Sequence, residues 1–117
     1  MNKFYKKRIL IDFDGVLNNY TGNFNENYIP PIKEGALEFI QKLSEKFEIK
    51  IFTSRKLLLV AKWVFENKLE SYICDITNIK EPCYLIIDDR CIKFDGNYEK
   101  TVNKIEQYMV WYKIDNN

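Results

Sequence analysis

The chain has 117 residues, of which 46% are hydrophobic and 30% charged, with a formal net charge of +1. That length suits one domain, 1–117, with one core, and the interspersed, nearly balanced charges give no signal for nucleic acid or an anionic membrane surface. No apolar stretch is long enough to span a bilayer, and the apolar run near the start is too short and too acidic for a signal peptide, so the expected location is cytoplasmic.

The three cysteines, Cys74, Cys83 and Cys91, are an odd count without a close pair, which fits a reduced protein with buried or inert thiols. Histidine is absent, which excludes histidine-based triads, phosphohistidine chemistry and the usual zinc sites. Cys83 is followed by Asp89, and not by Arg90, at the spacing that a phosphate-binding cysteine loop requires. No Walker-type P-loop is present.

In chain order, RILID (8–12) reads as a buried strand that ends in the pair Asp12 and Asp14, followed by Gly15. Residues 15–31 are rich in Gly, Asn and Pro and read as a loop or short hairpin. From Ile32 to Phe47 the apolar positions follow helical spacing, with Pro31 near the start. IKIFT (49–53) is the next strand, and 56–69 the next helix, with Leu59, Val60, Trp63, Val64 and Leu69 inward. A short strand is expected at 72–76, an apolar strand at 84–87 stopping at Asp88 and Asp89, a last short strand at 92–94, and a closing helix at 101–112. The fold class is therefore α/β: a three-layer, Rossmann-like domain with a central, mostly parallel sheet.

Such sheets bind ligands beyond the carboxyl ends of their strands. Asp12 and Asp14, Thr53 and Ser54, and Asp88 and Asp89 all fall at predicted strand ends. Alternate residues of a strand share a face, so Asp12 and Asp14 point the same way. Two carboxylates that close repel unless a cation lies between them, and an all-oxygen set suits Mg²⁺. The same residue types can serve as nucleophile and acid/base. Blander readings stand beside these. Asp pairs cap turns, Thr53 and Ser54 are also helix-capping types, and a lone lysine such as Lys80 is commonly a surface residue. Arg55 and Arg90 read as structural ion-pair partners, and Tyr20, Phe24 and Tyr28 as loop packing or an entrance lining.

The order DFDGV, then IFTSR, then NIKEP, then a strand ending in DD resembles the haloacid dehalogenase (HAD) superfamily of Mg²⁺-dependent phosphohydrolases, in particular small capless members of bacteria and phages. The resemblance runs from about Arg8 to Tyr98. It implies Asp12 as the nucleophile that forms an aspartyl phosphate, and Asp14 as the general acid/base. It implies phosphate binding by Thr53, Ser54 and Lys80, with Thr53 and Lys80 also catalytic. It implies Mg²⁺ held by Asp12, Asp14 (through its carbonyl), Asp88 and Asp89. No cap domain fits between these motifs, so the expected site is open unless the 17–31 loop or a second copy of the chain covers it. The implied partner is a phosphorylated substrate, either a small ester or a macromolecular end, and not a membrane. The alternative is a HAD-like binding or regulatory module with little or no turnover. A receiver domain is disfavoured, because Thr53 directly follows the second strand and a DD pair follows the lysine.

Overall fold

The computed structural model describes residues 5–116, and side chains through residue 113. Backbone proximity divides the chain into two compact units, 1–87 and 88–117.

The first unit holds an all-parallel sheet of four strands, β1 (Lys7–Asp12), β2 (Phe47–Phe52), β3 (Asp75–Thr77) and β4 (Leu85–Ile87), in the order β3-β2-β1-β4. The strand that leads to DFDGV is thus interior. Helix α1 (Ala36–Ser44) connects β1 to β2, and α2 (Leu57–Glu66) connects β2 to β3. Register is set by the face that must be buried. Ile9 and Ile11 of β1 lie level with Ile49 and Ile51 of β2, and all four are buried. Ala36 and Ile40 of α1 and Val60, Trp63 and Val64 of α2 belong to the same core. The other face of β1 and β2 presents Arg8, Leu10, Glu48 and Lys50 in the same register.

Several boundaries differ from the sequence reading, each for a local reason. Helix α1 begins at Ala36 and not at Ile32, because Ile32 bridges to Asn18, the Lys33 N–H donates to the Leu17 carbonyl (2.9 Å), and Gly35 adopts φ 89°. That φ is outside the helical region and favours glycine. Helix α2 ends at Glu66, closed by two backbone bonds, Lys68 N–H to Phe65 O (3.1 Å) and Leu69 N–H to Val64 O (3.0 Å). This is a Schellman closure, and Lys68 takes the left-handed position at φ 61°. The third strand is Asp75–Thr77 and not 72–76, since Tyr72 turns back to Leu69 and the ladder with β2 starts at Asp75. The 15–31 segment is a loop with a single antiparallel bridge, Asn18 to Ile32.

In the second unit, α3 (Tyr98–Gln107) starts three residues before the expected 101, because Asn97 caps it by accepting from the Lys100 N–H at 2.9 Å. A 3₁₀ helix covers Trp111–Asn116. The strand expected at 92–94 is absent: the stretch is irregular chain, and Phe94 packs its ring on Tyr98 at 5.3 Å. Three residues with no neighbouring strand have no ladder to join. The cysteines are free; Cys74 and Cys91 are exposed and Cys83 half-buried. Partial burial of the Cys74 sulfur and the Glu48 carboxylate, which accepts from Sγ at 3.2 Å, push that thiol up to about 11. It is therefore protonated and unreactive at neutral pH. No helix among the described residues is long and apolar enough to cross a membrane.

Candidate functional site at the strand ends

The site grows out of an alternation that continues past the end of β1. Phe13 is fully buried and meets Trp63 edge-on at a centroid distance of 4.8 Å. Its neighbours Asp12 and Asp14 are half-buried. Anchoring Phe13 in the core turns both carboxylates the other way. Gly15, at φ 87°, then reverses the chain.

Asn18, which the sequence reading did not single out, holds that turn. It is fully buried. Its Oδ1 accepts from the N–H groups of Gly15 (3.3 Å) and Tyr20 (3.0 Å), and its Nδ2 donates to Asp14 Oδ1 (3.2 Å). The signal was faint: an asparagine inside a Gly/Asn-rich loop usually caps a turn with its side chain in water.

Asp14 is held from a second side. Arg55 Nε donates to both of its oxygens, at 2.9 and 3.1 Å, and the arginine side chain is only 1% exposed. Arg55 is thus an ion-pair partner, as expected, but of a site residue.

Thr53 follows β2 directly and is buried. Its N–H donates to the Thr77 carbonyl at the end of β3 (3.0 Å), and its hydroxyl accepts from the Arg55 N–H (3.1 Å). Neither Thr53 nor Ser54 caps α2; the N-cap position is Lys56, without a side-chain cap bond. Ser54 is exposed beside them. Asn78, also unanticipated, ties this turn to β3 by donating to the carbonyls of Thr53 (2.6 Å) and Arg55 (3.0 Å).

Lys80 is exposed, on a segment fixed at both ends. On one side is Asn78. On the other is Glu81, which accepts from Lys50 Nζ at 2.8 Å and meets Arg8 Nη1 at 3.3 Å. The hydrogen bond with Glu81 outweighs burial and raises Lys50 above its ordinary range, and the same bond lowers Glu81.

Ile87 pairs with Ile11. Asp88 and Asp89 continue β4 directly. Both are half-buried, as is Asp12 at the end of β1. Asp88 Oδ1 also accepts from the Arg90 N–H at 2.9 Å, and the Asp89 carbonyl accepts from the Tyr108 hydroxyl at 2.8 Å. Carboxylates are hard oxygen donors, and the chain has no histidine to compete with them for a metal. The Asp14 side chain is turned to Arg55 and Asn18.

No family model and no curated protein matches the chain. Among solved structures, a conserved protein from Bacteroides thetaiotaomicron is similar, with a TM-score of 0.58 and 17% identity over 94% of this chain and 98% of that one. The likeness establishes a shared parallel-sheet α/β fold.

Proposed function

We propose that this chain is a Mg²⁺-dependent phosphohydrolase of the HAD type, cleaving phosphate monoesters through an aspartyl phosphate. The observation that carries the reading is the pair Asp12 and Asp14 at the end of β1, beside Thr53 at the end of the paired strand β2, with the Asp14 carboxylate held by Arg55 and Asn18. Asp12, Asp88, Asp89 and the Asp14 carbonyl would hold the ion, which supplies the charge neutralisation that an anionic carboxylate needs to approach an anionic ester.

In this reading Asp12 attacks phosphorus in line. The Asp12 oxygen–phosphorus bond forms as the bond from phosphorus to the leaving oxygen breaks. Asp14 delivers a proton to that leaving oxygen, then takes one from the water that hydrolyses the acyl phosphate. The Arg55 and Asn18 bonds fix the direction of its carboxylate. The Thr53 hydroxyl, the Ser54 N–H and Lys80 supply donors to the phosphoryl oxygens. Between Asp12 and α1 the described chain forms no regular element beyond one bridge, which is consistent with a site without a cap domain there and a substrate that is either a loosely selected small ester or a macromolecular end.

A second reading, a binding or regulatory module with little turnover, draws support from the Arg55 bond, which already satisfies Asp14 in the resting protein. Hydrolysis of small phosphate esters with and without Mg²⁺, alongside calorimetric Mg²⁺ titration, separates the two. The phosphohydrolase should turn over only with Mg²⁺. Asp12→Asn should fall to the uncatalysed background, and Asp14→Asn should lose at least ~10²-fold. Asp88→Asn or Asp89→Asn should weaken Mg²⁺ binding. Near-normal turnover by Asp12→Asn would remove the nucleophile assignment. Mg²⁺ binding without turnover on esters, nucleotides, phosphopeptides and phosphorylated nucleic-acid ends would favour the second reading.

A further inference from the structure

Arg55 is bonded in more directions than an ordinary ion-pair arginine requires. Its Nε holds both Asp14 oxygens, and its Nη1 donates to the Asn25 carbonyl at 2.9 Å. The guanidinium also lies over the Phe24 ring, 4.6 Å from its centroid, within cation–π range. Nη2 is buried and has no hydrogen-bond partner among the described residues, so the grip rests on Nε, Nη1 and the ring. The backbone at Arg55 is fixed independently, by Thr53 Oγ1 and by Asn78.

The other end of this connection is a loop. The bases of the 19–31 segment are tied together by the Asn19 N–H donating to the Pro31 carbonyl at 3.0 Å and by the Asn18–Ile32 bridge. Its middle, 21–28, is exposed. Phe24 and Asn25 are where the guanidinium grips that middle. Phe24 remains 53% exposed, so hydrophobic burial does little to hold it down.

We propose that Arg55 is a positioning residue that couples the 19–31 loop to Asp14, so that the loop cannot lift without withdrawing the guanidinium from the carboxylate. A planar, forked cation is the side chain suited to this, because it can serve a carboxylate, a carbonyl and an aromatic face at once, whereas an ammonium is a point charge. The loop is then a lid whose closure and whose influence on Asp14 are one event. The catalytic half of this inference rests on the role proposed for Asp14; the mechanical half does not.

Hydrogen exchange read by mass spectrometry on peptides covering 20–28 tests the mechanical half without reference to activity. Asp14→Asn, Arg55→Lys and Phe24→Leu should each speed exchange there by about tenfold or more, with a single cooperative melting transition retained. Asp14→Asn preserves volume and Phe24 lies at the surface, so the result stands even if the buried Arg55→Lys variant folds poorly. Unchanged exchange in Asp14→Asn and Phe24→Leu would overturn the coupling. In steady-state kinetics, Phe24→Leu should lower kcat severalfold with KM held within about twofold, as expected when an interaction acts in the transition state and not in binding. A raised KM at constant kcat would make the loop a substrate contact and overturn the positioning role. If the protein hydrolyses nothing, the exchange result still decides the coupling, while the phosphohydrolase reading fails separately.

Discussion

Phe13 sits between two aspartates and faces away from both. Its ring is fully buried and packs edge-on against Trp63, whose indole N–H donates to the Pro30 carbonyl at 3.3 Å. This one side chain anchors the turn that presents the site. Phe13→Ala should cost about 3–5 kcal/mol in a urea titration, the usual price of emptying a large aromatic site. Phe13→Leu should cost clearly less. Equal costs would mean that the turn is held by Asn18 and Arg55 alone. Asn18 adds a second anchor, because its amide oxygen accepts from the backbone N–H groups of Gly15 and Tyr20.

The end of α2 places a lysine where glycine is the common choice. Lys68 at φ 61° completes the Schellman closure, and Leu69 beyond it is fully buried. A non-glycine residue in this conformation costs about 1–2 kcal/mol. Lys68→Gly relieves that strain but adds backbone entropy to the unfolded chain, so the two terms nearly cancel. Lys68→Val brings a β-branched side chain to the same position and should lower stability by about 1–3 kcal/mol. Thermal melting of the two variants measures the difference; a valine variant as stable as the glycine one would show that the helix end adapts. Helix α1 illustrates the same rule at the opposite terminus, where Gly35 delays its start.

For the first unit taken together, a charged network runs across the sheet and onto the 78–84 segment. Arg8 meets Glu48 and Glu81, while Lys50 meets Glu81 and Asp75. The Lys50 hydrogen bond lowers Glu81 from its ordinary 4.5, so the protein binds that proton less readily when folded than when unfolded. The resulting stabilisation is fully present above about pH 4.5 and is lost as pH falls through the lowered folded value. Lys50 is raised from 10.5, so its share is present below that pH and fades as pH rises past the folded value. Glu81→Gln should therefore flatten the acid limb of a stability-against-pH profile measured by denaturant titration. It should also loosen the chain next to Lys80 and weaken phosphate-ester turnover. An unchanged acid limb would place the acid sensitivity elsewhere.

Much of this architecture was legible in the residues. The alternation of apolar strands with 3.6-period helices dictated a mostly parallel sheet, and the strand-end reading put Asp12 at the end of β1 and Thr53 directly after β2, where they lie. Those features depend on short-range periodicity, which a linear chain displays directly. The local exceptions did not show. The start of α1 turned on the conformation of Gly35 and a bridge between residues far apart in sequence, and the stretch 92–94 lacked a strand to pair with. Asn18, Asn78 and the grip of Arg55 on Asp14 were hidden for the same reason. Each is a polar side chain whose role comes from the buried partner it meets, and that meeting exists only once the strands have brought residues 14, 18, 25, 53, 55 and 78 together.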